Sequence, residues 1–470
     1  MRIPIVGGDH KSRSLNINAQ ETINLIPVLD PTGKYESALI GTPGLVEWYS
    51  LGTSKQLRGL HVMDSYLFAV IGNTLYRITT AAAATAMTGT LSTTTGPVYM
   101  ADDGTYLMIV DPGIEGYVLD GTTLTAIADA DFPTPAYLTW QDGYFIIVKS
   151  ATGEFYISAS YDPTDWTATD YATAERDPDN LKAAFSHNGH LWLIGRETTE
   201  VWYNSGASDF PFDPIGGAVL PYGTNSPASV ASGEGLIFWL DDRKRVIQCI
   251  GHSPQIISDD NLVNAIEGYT TVSDAIGFFY TQKKRAFYVL IFPTPKDTWC
   301  YDLETQMWHQ RRSFPMLGSG RQDRYRANCY AFFNDLHLIG DYQNGKIYKL
   351  DFATYADDGN TVIAERVTRA VHQERKRLFF PHFEIEFEAG VGLYTGQGSD
   401  PQAMLQWSDD GGHVWSNELW RDIGQIGEYK NRAIWNRLGS ARDRRFKLRI
   451  SDPIKRVILA AFAEIEMGAN

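Results

Sequence analysis

The chain has few cysteines and no long apolar segment. Cys249, Cys300 and Cys329 are its three cysteines among 470 residues. An odd number at wide spacing argues against a disulfide framework, and the apolar runs around Cys249 and Cys300 predict small buried side chains. No run of about 18 apolar residues occurs, which predicts no transmembrane helix. The segment from Met1 to Gly8 holds one basic residue and no apolar core, so we expect no secretory signal.

Catalytic and cofactor-binding motifs are also missing. The sequence contains no Gly-x-Ser-x-Gly, His-Glu-x-x-His or Cys-x-x-Cys pattern. Gly390 and Gly392 lack the Lys-Ser/Thr pair of a phosphate-binding loop. His187 and His190 stand three apart in a predicted hairpin, and alternation along a strand predicts that they point to opposite faces. We therefore expect a protein that is not an enzyme, with no catalytic residue, no cofactor and no metal.

The charge is strongly acidic but uneven. The formal net charge is −15. Residues 361–470 contain 16 Lys and Arg against 15 Asp and Glu, so residues 1–360 keep 25 against 41 and a balance of −16. An acidic body of this kind argues against tight DNA binding over a broad face, which depends on cation–phosphate contacts.

A repeat dominates the middle of the chain. Each unit has a polar turn, an apolar strand and a partner strand. The apolar strands begin at Tyr66, Tyr106, Tyr144, His190, Leu236, Ala286 and Leu336. Their spacing of 38 to 50 residues, with a mean of 45, is typical of propeller blades. Turns such as Asp142-Gly and Asn188-Gly are strong hairpin signals. We predict an all-β fold with a seven-bladed β-propeller over residues 52–352. A pair of β-sandwiches is the alternative, but it does not explain the constant period.

The two ends of the chain break the repeat. Residues 353–360 are typical of a linker, and the strands that follow alternate with period two, as in Phe383/Ile385/Phe387 and Phe446/Leu448/Ile450. This pattern predicts a C-terminal antiparallel β-sandwich platform over residues 353–470 with one solvated face. Residues 1–51 are predicted to form an N-terminal arm that packs on the platform or on a neighbouring molecule.

One local motif is an Asp-box, formed by Ser408, Asp410, Gly412 and Trp415. In such a turn the carboxylate accepts from backbone amides, the glycine takes a positive φ and the tryptophan covers the turn. Asp-boxes repeat in sialidases, so a glycan-binding or glycan-cleaving propeller is an alternative function. The chain has one copy, outside the repeats, which favours a structural role.

A basic strand lies near the C-terminus. Arg445, Lys447 and Arg449 alternate with apolar residues and are predicted to share one face of a strand. That face has three interpretations at this point: a solvated strand face, a contact with an acidic subunit, or a contact with the DNA backbone.

Both ends resemble a known family. The N-terminal Asn24-Leu-Ile-Pro27-Val with the Thr42-Pro-Gly turn, and the C-terminal Ile-Trp435-Asn-Arg437-Leu-Gly-Ser-Ala-Arg442-Asp-Arg-Arg-Phe-Lys-Leu-Arg, resemble the packaged-DNA stabilisation proteins of short-tailed bacteriophages, the tail hub or nozzle. The Trp407-Ser-Asp-Asp-Gly-Gly segment fits the same family. The family-matched interface candidates are Asn24, Pro27, Trp435, Arg437, Arg442, Arg445, Lys447 and Arg449.

The resemblance implies a structural protein of the virion tail, made in the cytoplasm of the host bacterium. A ring of six copies would lie below the portal-bound adaptor protein, close the DNA exit channel, retain packaged DNA and form the conduit for its ejection. It would also carry the tail needle or plug and the tailspike or fibre proteins. DNA would pass the channel without sequence-specific binding. Six chains would carry a formal charge of 6 × −15 = −90, and we hypothesise that an acidic channel wall repels phosphates.

Overall fold

The computed structural model describes residues 1–174, 179–313, 323–374 and 376–468. Almost all regular structure is β. The described strands that precede the repeats are β1 Arg2–Ile3, β2 His10–Lys11, β3 Ala19–Ile23, β4 Leu25–Leu29, β5 Ser37–Gly41 and β6 Gly44–Ser50.

Among the described residues, six propeller blades are each formed by four consecutive antiparallel strands. The first three are β7 Leu57–Met63, β8 Tyr66–Ile71, β9 Thr74–Ile78 and β10 Ala84–Ala86; β11 Tyr99–Asp102, β12 Leu107–Asp111, β13 Glu115–Asp120 and β14 Thr123–Ala126; and β15 Pro135–Gln141, β16 Tyr144–Lys149, β17 Glu154–Ala159 and β18 Asp162–Thr173. The next three are β19 Leu181–His187, β20 His190–Gly195, β21 Thr199–Asn204 and β22 Phe212–Leu220; β23 Ala231–Gly233, β24 Leu236–Leu240, β25 Val246–Ile250 and β26 Ser253–Ile256; and β27 Ile276–Gln282, β28 Arg285–Phe292, β29 Asp297–Asp302 and β30 Met307–Gln310.

A further four-stranded unit follows a short pair, β31 Arg312–Ser313 and β32 Asp323–Arg324. The unit contains β33 Ala327–Phe333, β34 Leu336–Asp341 and β35 Lys346–Asp351, and its outer strand is β6 from the N-terminal region. Leu338 and Ile347 of this unit share a buried cluster with Leu57 and Leu67 of the first blade, whereas Ile339 and Tyr348 pack with the sixth blade. The unit therefore lies between the last blade and the first.

The predicted hairpins are present in all of these units. The tight turns between first and second strands have positive φ at both central residues in Asp142-Gly143, Asn188-Gly189, Glu234-Gly235, Lys283-Lys284 and Asn334-Asp335. Such φ values characterise the type I′ turn, whose twist matches that of the flanking strands. The second strands are buried on both faces, as in β12, where all five residues are buried. This explains their unbroken apolar sequences.

The C-terminal strands are β36 Ala356–Asp357, β37 Asn360–Thr361, β38 Ala364–Val367, β39 Val371–His372, β40 Leu378–Phe387, β41 Gln402–Ser408, β42 Leu419–Asp422, β43 Ala433–Asn436, β44 Ser440–Ala441, β45 Asp443–Ile450 and β46 Val457–Met467. One sheet runs β4-β5-β46-β40-β43, and the other contains β3-β38-β45-β41-β42. Their facing residues form one buried cluster that includes Phe383, Ile385, Phe446 and Leu448. The predicted antiparallel sandwich is confirmed.

The N-terminal strands are integral to both parts of the protein. β1 and β5 pair with β46, and β3 lies inside a sheet, parallel to β30 of the sixth blade and antiparallel to β38 of the sandwich. The segment predicted as a linker is instead the short hairpin β36–β37, and β36 pairs with β6. Asp357 within it is 2% exposed. The boundaries at residues 51 and 352 remain predictions.

One short helix has no counterpart in the sequence predictions. It is α1, Asp260–Glu267, and the Asp259 side chain caps it by accepting from the Leu262 amide. No helix in the described ranges is long and apolar enough to cross a membrane.

Candidate assembly surfaces

Asn24 joins the N-terminal strands, the sixth blade and the sandwich. It is 2% exposed and has a φ of 55°, a conformation that asparagine tolerates better than most residues. Its Nδ2 donates to the carbonyls of Arg312 and Ile363 at 3.0 and 2.8 Å. Its Oδ1 accepts from the Arg312 amide at 2.9 Å. This family-matched residue therefore serves the internal junction.

Pro27 and Trp435 are also internal. Pro27 is a buried member of β4, and its carbonyl accepts from Arg285 Nη2 at 2.7 Å. Trp435 has no exposed surface, and its indole donates to the carbonyl of Leu419 at 2.8 Å. Neither side chain is available to a partner in this structure. Asn24, Pro27 and Trp435 are therefore buried family-matched residues, in contrast to the exposed Arg437 and Arg442.

A buried arginine fastens the N-terminal segment to the sandwich. Arg366 of β38 is 0% exposed. Its guanidinium donates to the carbonyls of Ile5 and Gly8 at 2.6 and 2.9 Å, and to the side chains of Gln20 and Thr22, each at 2.6 Å. Desolvation lowers the pKa of Arg366 to about 10. Its direct acceptors all belong to residues 5–22, so the sandwich depends on that segment.

Asp9 lies at the same junction. It is 2% exposed, and its Oδ2 accepts from the Thr22 amide at 3.1 Å and from Gln310 Nε2 at 3.0 Å. Its Oδ1 has no hydrogen-bond partner among the described residues. Desolvation, followed by repulsion from Glu21, raises the pKa of Asp9 to about 8. This carboxyl group is therefore largely protonated at neutral pH.

The Asp-box forms a self-contained turn between β41 and β42. Asp410 Oδ1 accepts from the Ser408 hydroxyl at 2.7 Å and from the amides of His413 and Val414 at 3.0 Å. These hydrogen bonds lower the pKa of Asp410, with the Ser408 contact the largest cause. Gly412 has a φ of 99°, which a side chain rarely adopts. The motif lies on the sandwich and not on a blade.

Trp415 packs against the basic strand. The Lys447 ammonium lies 4.2 Å from the centroid of its indole ring, within range of a cation–π interaction. The turn of the Asp-box is thereby held against β45.

The basic strand is neutralised within the chain. Arg445 is 1% exposed and donates to the carbonyls of Leu15, Asn16 and Gly411. Arg449 pairs with Glu365 and Glu418 at 2.9 and 3.0 Å, and Lys447 lies 3.7 Å from Glu365. The sequence predicted one exposed polar face, but the N-terminal loop and two glutamates cover it. Arg445 is not available to another subunit or to DNA.

The exposed cations lie beside that strand. Arg437 and Arg442 are exposed, and they stand at the strand ends where β44 pairs with β40. Further exposed cations lie on the segment between β38 and β40. We name the five exposed cations of this edge the basic rim: Arg369, Lys376, Arg377, Arg437 and Arg442. Glu374 and Asp443 are the acidic residues of segments 369–377 and 437–445, which contain eight Lys and Arg.

The negative charge is concentrated in three blades. Residues 101–220 contain 19 Asp and Glu against four Lys and Arg, a balance of −15, and the rest of the chain holds 37 of each. We name this region, β11 to β22, the acidic sector. Its exposed carboxylates without an ion pair to any described residue include Asp120, Asp131, Asp165, Asp209 and Asp213. They lie at the end of β13, on the outer strands β18 and β22 and in neighbouring loops, and none of them lines the axial cavity.

A cavity of 530 Å³ occupies the propeller axis. Its lining comes from the inner strand or adjacent segment of each blade and from β33 of the further unit. Six of the 24 lining residues are Phe, Tyr or Trp, and the ring centroids of Tyr99 and Tyr137 lie 3.9 Å apart. Burial raises the pKa values of both tyrosines, so they stay neutral. His61 and Asp102 form a 2.6 Å contact at the wall.

The histidine prediction was wrong in its geometry. His187 and His190 flank a two-residue turn and are direct cross-strand partners, so their side chains share a face. Burial, and then repulsion from His190, lowers the pKa of His187. Within the described ranges, no group of three or more His, Cys, Asp or Glu residues could hold a metal ion.

The cysteine prediction is confirmed at two positions. Cys249 and Cys300 are buried and unpaired, and desolvation raises the pKa of each thiol to about 12. Cys329 is half-buried at the central cavity.

These features define a propeller–sandwich protein whose N-terminal strands bind the two parts together. A family model described as bacteriophage P22 Gp10, beta-propeller, matches residues 1–355, and one described as bacteriophage P22 Gp10, beta-sandwich, matches residues 363–466. The chain belongs to the bacteriophage P22 Gp10 family, a family of structural phage proteins, and the resemblance in the sequence is confirmed.

Other comparisons add little. No curated protein matches the chain. Among solved structures, the computationally designed Ika8 protein is similar with a TM-score of 0.41 and 8% identity, over 65% of this chain and 99% of that chain. A similarity of that size carries no argument.

Proposed function

We propose that this protein is the nozzle, or tail hub, of a short-tailed bacteriophage. Copies assemble as a ring of six below the portal-bound adaptor. The ring closes the DNA exit channel, retains the packaged DNA and forms the conduit for its ejection. The tail needle or plug and the tailspike or fibre proteins attach to it, and it acts without catalysis.

The observation that carries the proposal is the match of two family models to consecutive parts of the chain, residues 1–355 and 363–466. The internal use of buried arginines supports a structural role, since Arg366 and Arg445 bind backbone carbonyls of the same chain. The single Asp-box lies outside the blades, which weakens the argument for a sialidase-like function.

We also propose that the unit β33-β34-β35-β6 is the seventh blade. Its inner strand lines the axial cavity together with an inner strand or the segment next to it from each of the six consecutive blades, and its two faces pack on the sixth and first blades. Closure by an N-terminal strand ties the beginning of the propeller to its end and leaves no open edge between blades.

The test is reconstitution on DNA-filled phage heads that carry portal and adaptor but no tail. We expect purified protein to bind at six copies per head and to slow the leakage of DNA. Heads that already carry complete tails are the matched control and should bind none. Absence of binding, with the protein soluble, would overturn the proposal. Hydrolysis of fluorogenic sialosides by the same preparation would instead favour the glycan-cleaving alternative.

A further inference from the structure

We infer that the acidic sector of one copy docks on the basic rim of the next. The inference deepens the proposed ring and rests on it for its biological setting. Two different surfaces of one chain would meet, which is the heterologous contact that a cyclic ring requires. The occupant of the acidic sector is therefore a second copy of this chain.

The acidic sector carries the excess negative charge of the chain. The acidic sector accounts for a balance of −15, which equals the net charge of the whole chain. Asp165 and Asp213 are exposed on the outer strands of two adjacent blades, and neither has an ion pair with a described residue. Unpaired carboxylates at this density repel each other, and a cationic surface relieves that repulsion.

The basic rim is a surface of complementary charge. The basic rim lies on the sandwich, where Arg369, Arg377 and Arg437 are exposed. No ion pair joins these three to a described carboxylate, in contrast to Arg449 and Lys447 of the neighbouring strand. The inner basic residues are therefore paired within the chain, whereas Arg369, Arg377 and Arg437 of the rim are left for an external partner. Guanidinium groups suit this role because they bind carboxylates with two parallel hydrogen bonds.

The acidic sector also exposes three tyrosine side chains. Tyr161, Tyr171 and Tyr203 lie in the acidic sector and are 60%, 42% and 41% exposed. Exposed tyrosines are typical of protein interfaces, and a surface that only repelled DNA would not need them. The tyrosines can supply apolar area while the carboxylates surround it.

The outer strands of the acidic sector favour a contact through side chains over the pairing of an added strand. The outer strand β30 is covered by β3, and β6 is covered by β36. The outer strands β18 and β22 have no such cover among the described residues. Both break register with their partners, and such bulges oppose the addition of an extended strand. The acidic sector is therefore better suited to bind a folded surface with cationic side chains than an extended strand.

The experiment uses charge reversal in the full-length protein. One variant carries Asp165→Arg with Asp213→Arg, and another carries Arg377→Glu with Arg437→Glu. Controls are Glu36→Arg and Lys55→Glu, which reverse exposed charges outside both surfaces. Association is measured by analytical ultracentrifugation over a range of concentration and salt, and copies per head are counted on tail-less heads.

We expect salt-sensitive association of the wild type and of both controls. Each double variant should need roughly tenfold higher concentration or more to associate. A mixture of the two variants should recover assemblies larger than dimers, because every contact between unlike molecules then joins opposite charges, in the native or in the reversed arrangement. All four reversals in a single chain should restore larger assemblies.

Two results would overturn the inference. One is that either double variant assembles like the wild type, in solution and on heads. The other is that the Asp165/Asp213 variant keeps normal assembly but gains salt-dependent DNA binding, which would make the acidic sector a repulsive wall for DNA. Binding of the wild-type protein to heads tests the proposed function, and the variants test the contact. Wild-type binding with unaffected variants would therefore refute only the contact, whereas association through these surfaces without binding to heads would refute only the proposed function.

Discussion

Replacing Arg366 by alanine tests whether the N-terminal segment is fastened by its guanidinium. The substitution leaves the buried carbonyls of Ile5 and Gly8 without their donors. An unsatisfied buried group costs about 1–3 kcal/mol, so two give about 2–6 kcal/mol. Burial lowers the pKa of Arg366 to about 10, because desolvation disfavours the charged guanidinium, and removing that cost offsets part of the penalty. We therefore expect a loss of about 2–4 kcal/mol in the free energy of unfolding.

Urea denaturation measures that loss, and tryptic cleavage after Arg13 measures release of the segment. We expect faster cleavage in Arg366→Ala at urea concentrations far below global unfolding. The matched control is Arg369→Ala, an exposed arginine three residues away, which should change stability by no more than about 0.5 kcal/mol. A loss under about 1 kcal/mol, with cleavage at the wild-type rate, would refute the argument that this side chain secures the segment.

Three further predictions concern single positions. Asp9→Asn should raise the melting temperature more at pH 8 than at pH 5. The pKa of Asp9 is raised to about 8 in the folded state, so the native protein binds more protons than the unfolded chain between about pH 4 and 8. The wild-type protein therefore loses stability as the pH rises through this range. An equal change in melting temperature at both pH values would contradict this. Gly412→Ala should cost about 1–3 kcal/mol in urea denaturation, because φ is 99°, whereas the unobstructed Gly216→Ala should be near neutral. Gly277→Ala should cost about 1–3 kcal/mol by calorimetry, because the new Cβ would clash with the backbone carbonyl oxygen of Ser229. Unchanged stability would show that the turn at residues 227–229 can move away from β27.

Local patterns predicted most of the fold. Turn residues such as Asn188-Gly189 need positive φ, and the structure has it at both positions. Alternation in Phe383/Ile385/Phe387 placed these side chains in the sandwich core. Both signals depend on residues within a few positions of each other, so a single sequence contains them.

Pairings between distant segments could not be predicted in this way. The register of β6 with β35 joins residues about 300 positions apart, and no local pattern encodes it. The same limit affected the candidate site. Alternation correctly put Arg445 on the polar face of β45, but the carbonyls of Leu15 and Asn16 cover it. A strand face that looks solvated can be buried by a remote loop.

The pairing of β1 with β46 has a consequence for biosynthesis. Arg2 pairs with Phe462, so β1 cannot complete its pairing until β46, about 460 residues later in the sequence, has been synthesised. At about 5–20 residues per second, that wait lasts about 20–90 s. During this time β3 and β5 also lack their sandwich partners, and chaperones can bind them. A chain that terminates before β46 lacks the strand that pairs with β1, β5 and β40. Synthesis through β46 thus acts as a checkpoint, because only molecules that contain this strand can complete the sandwich.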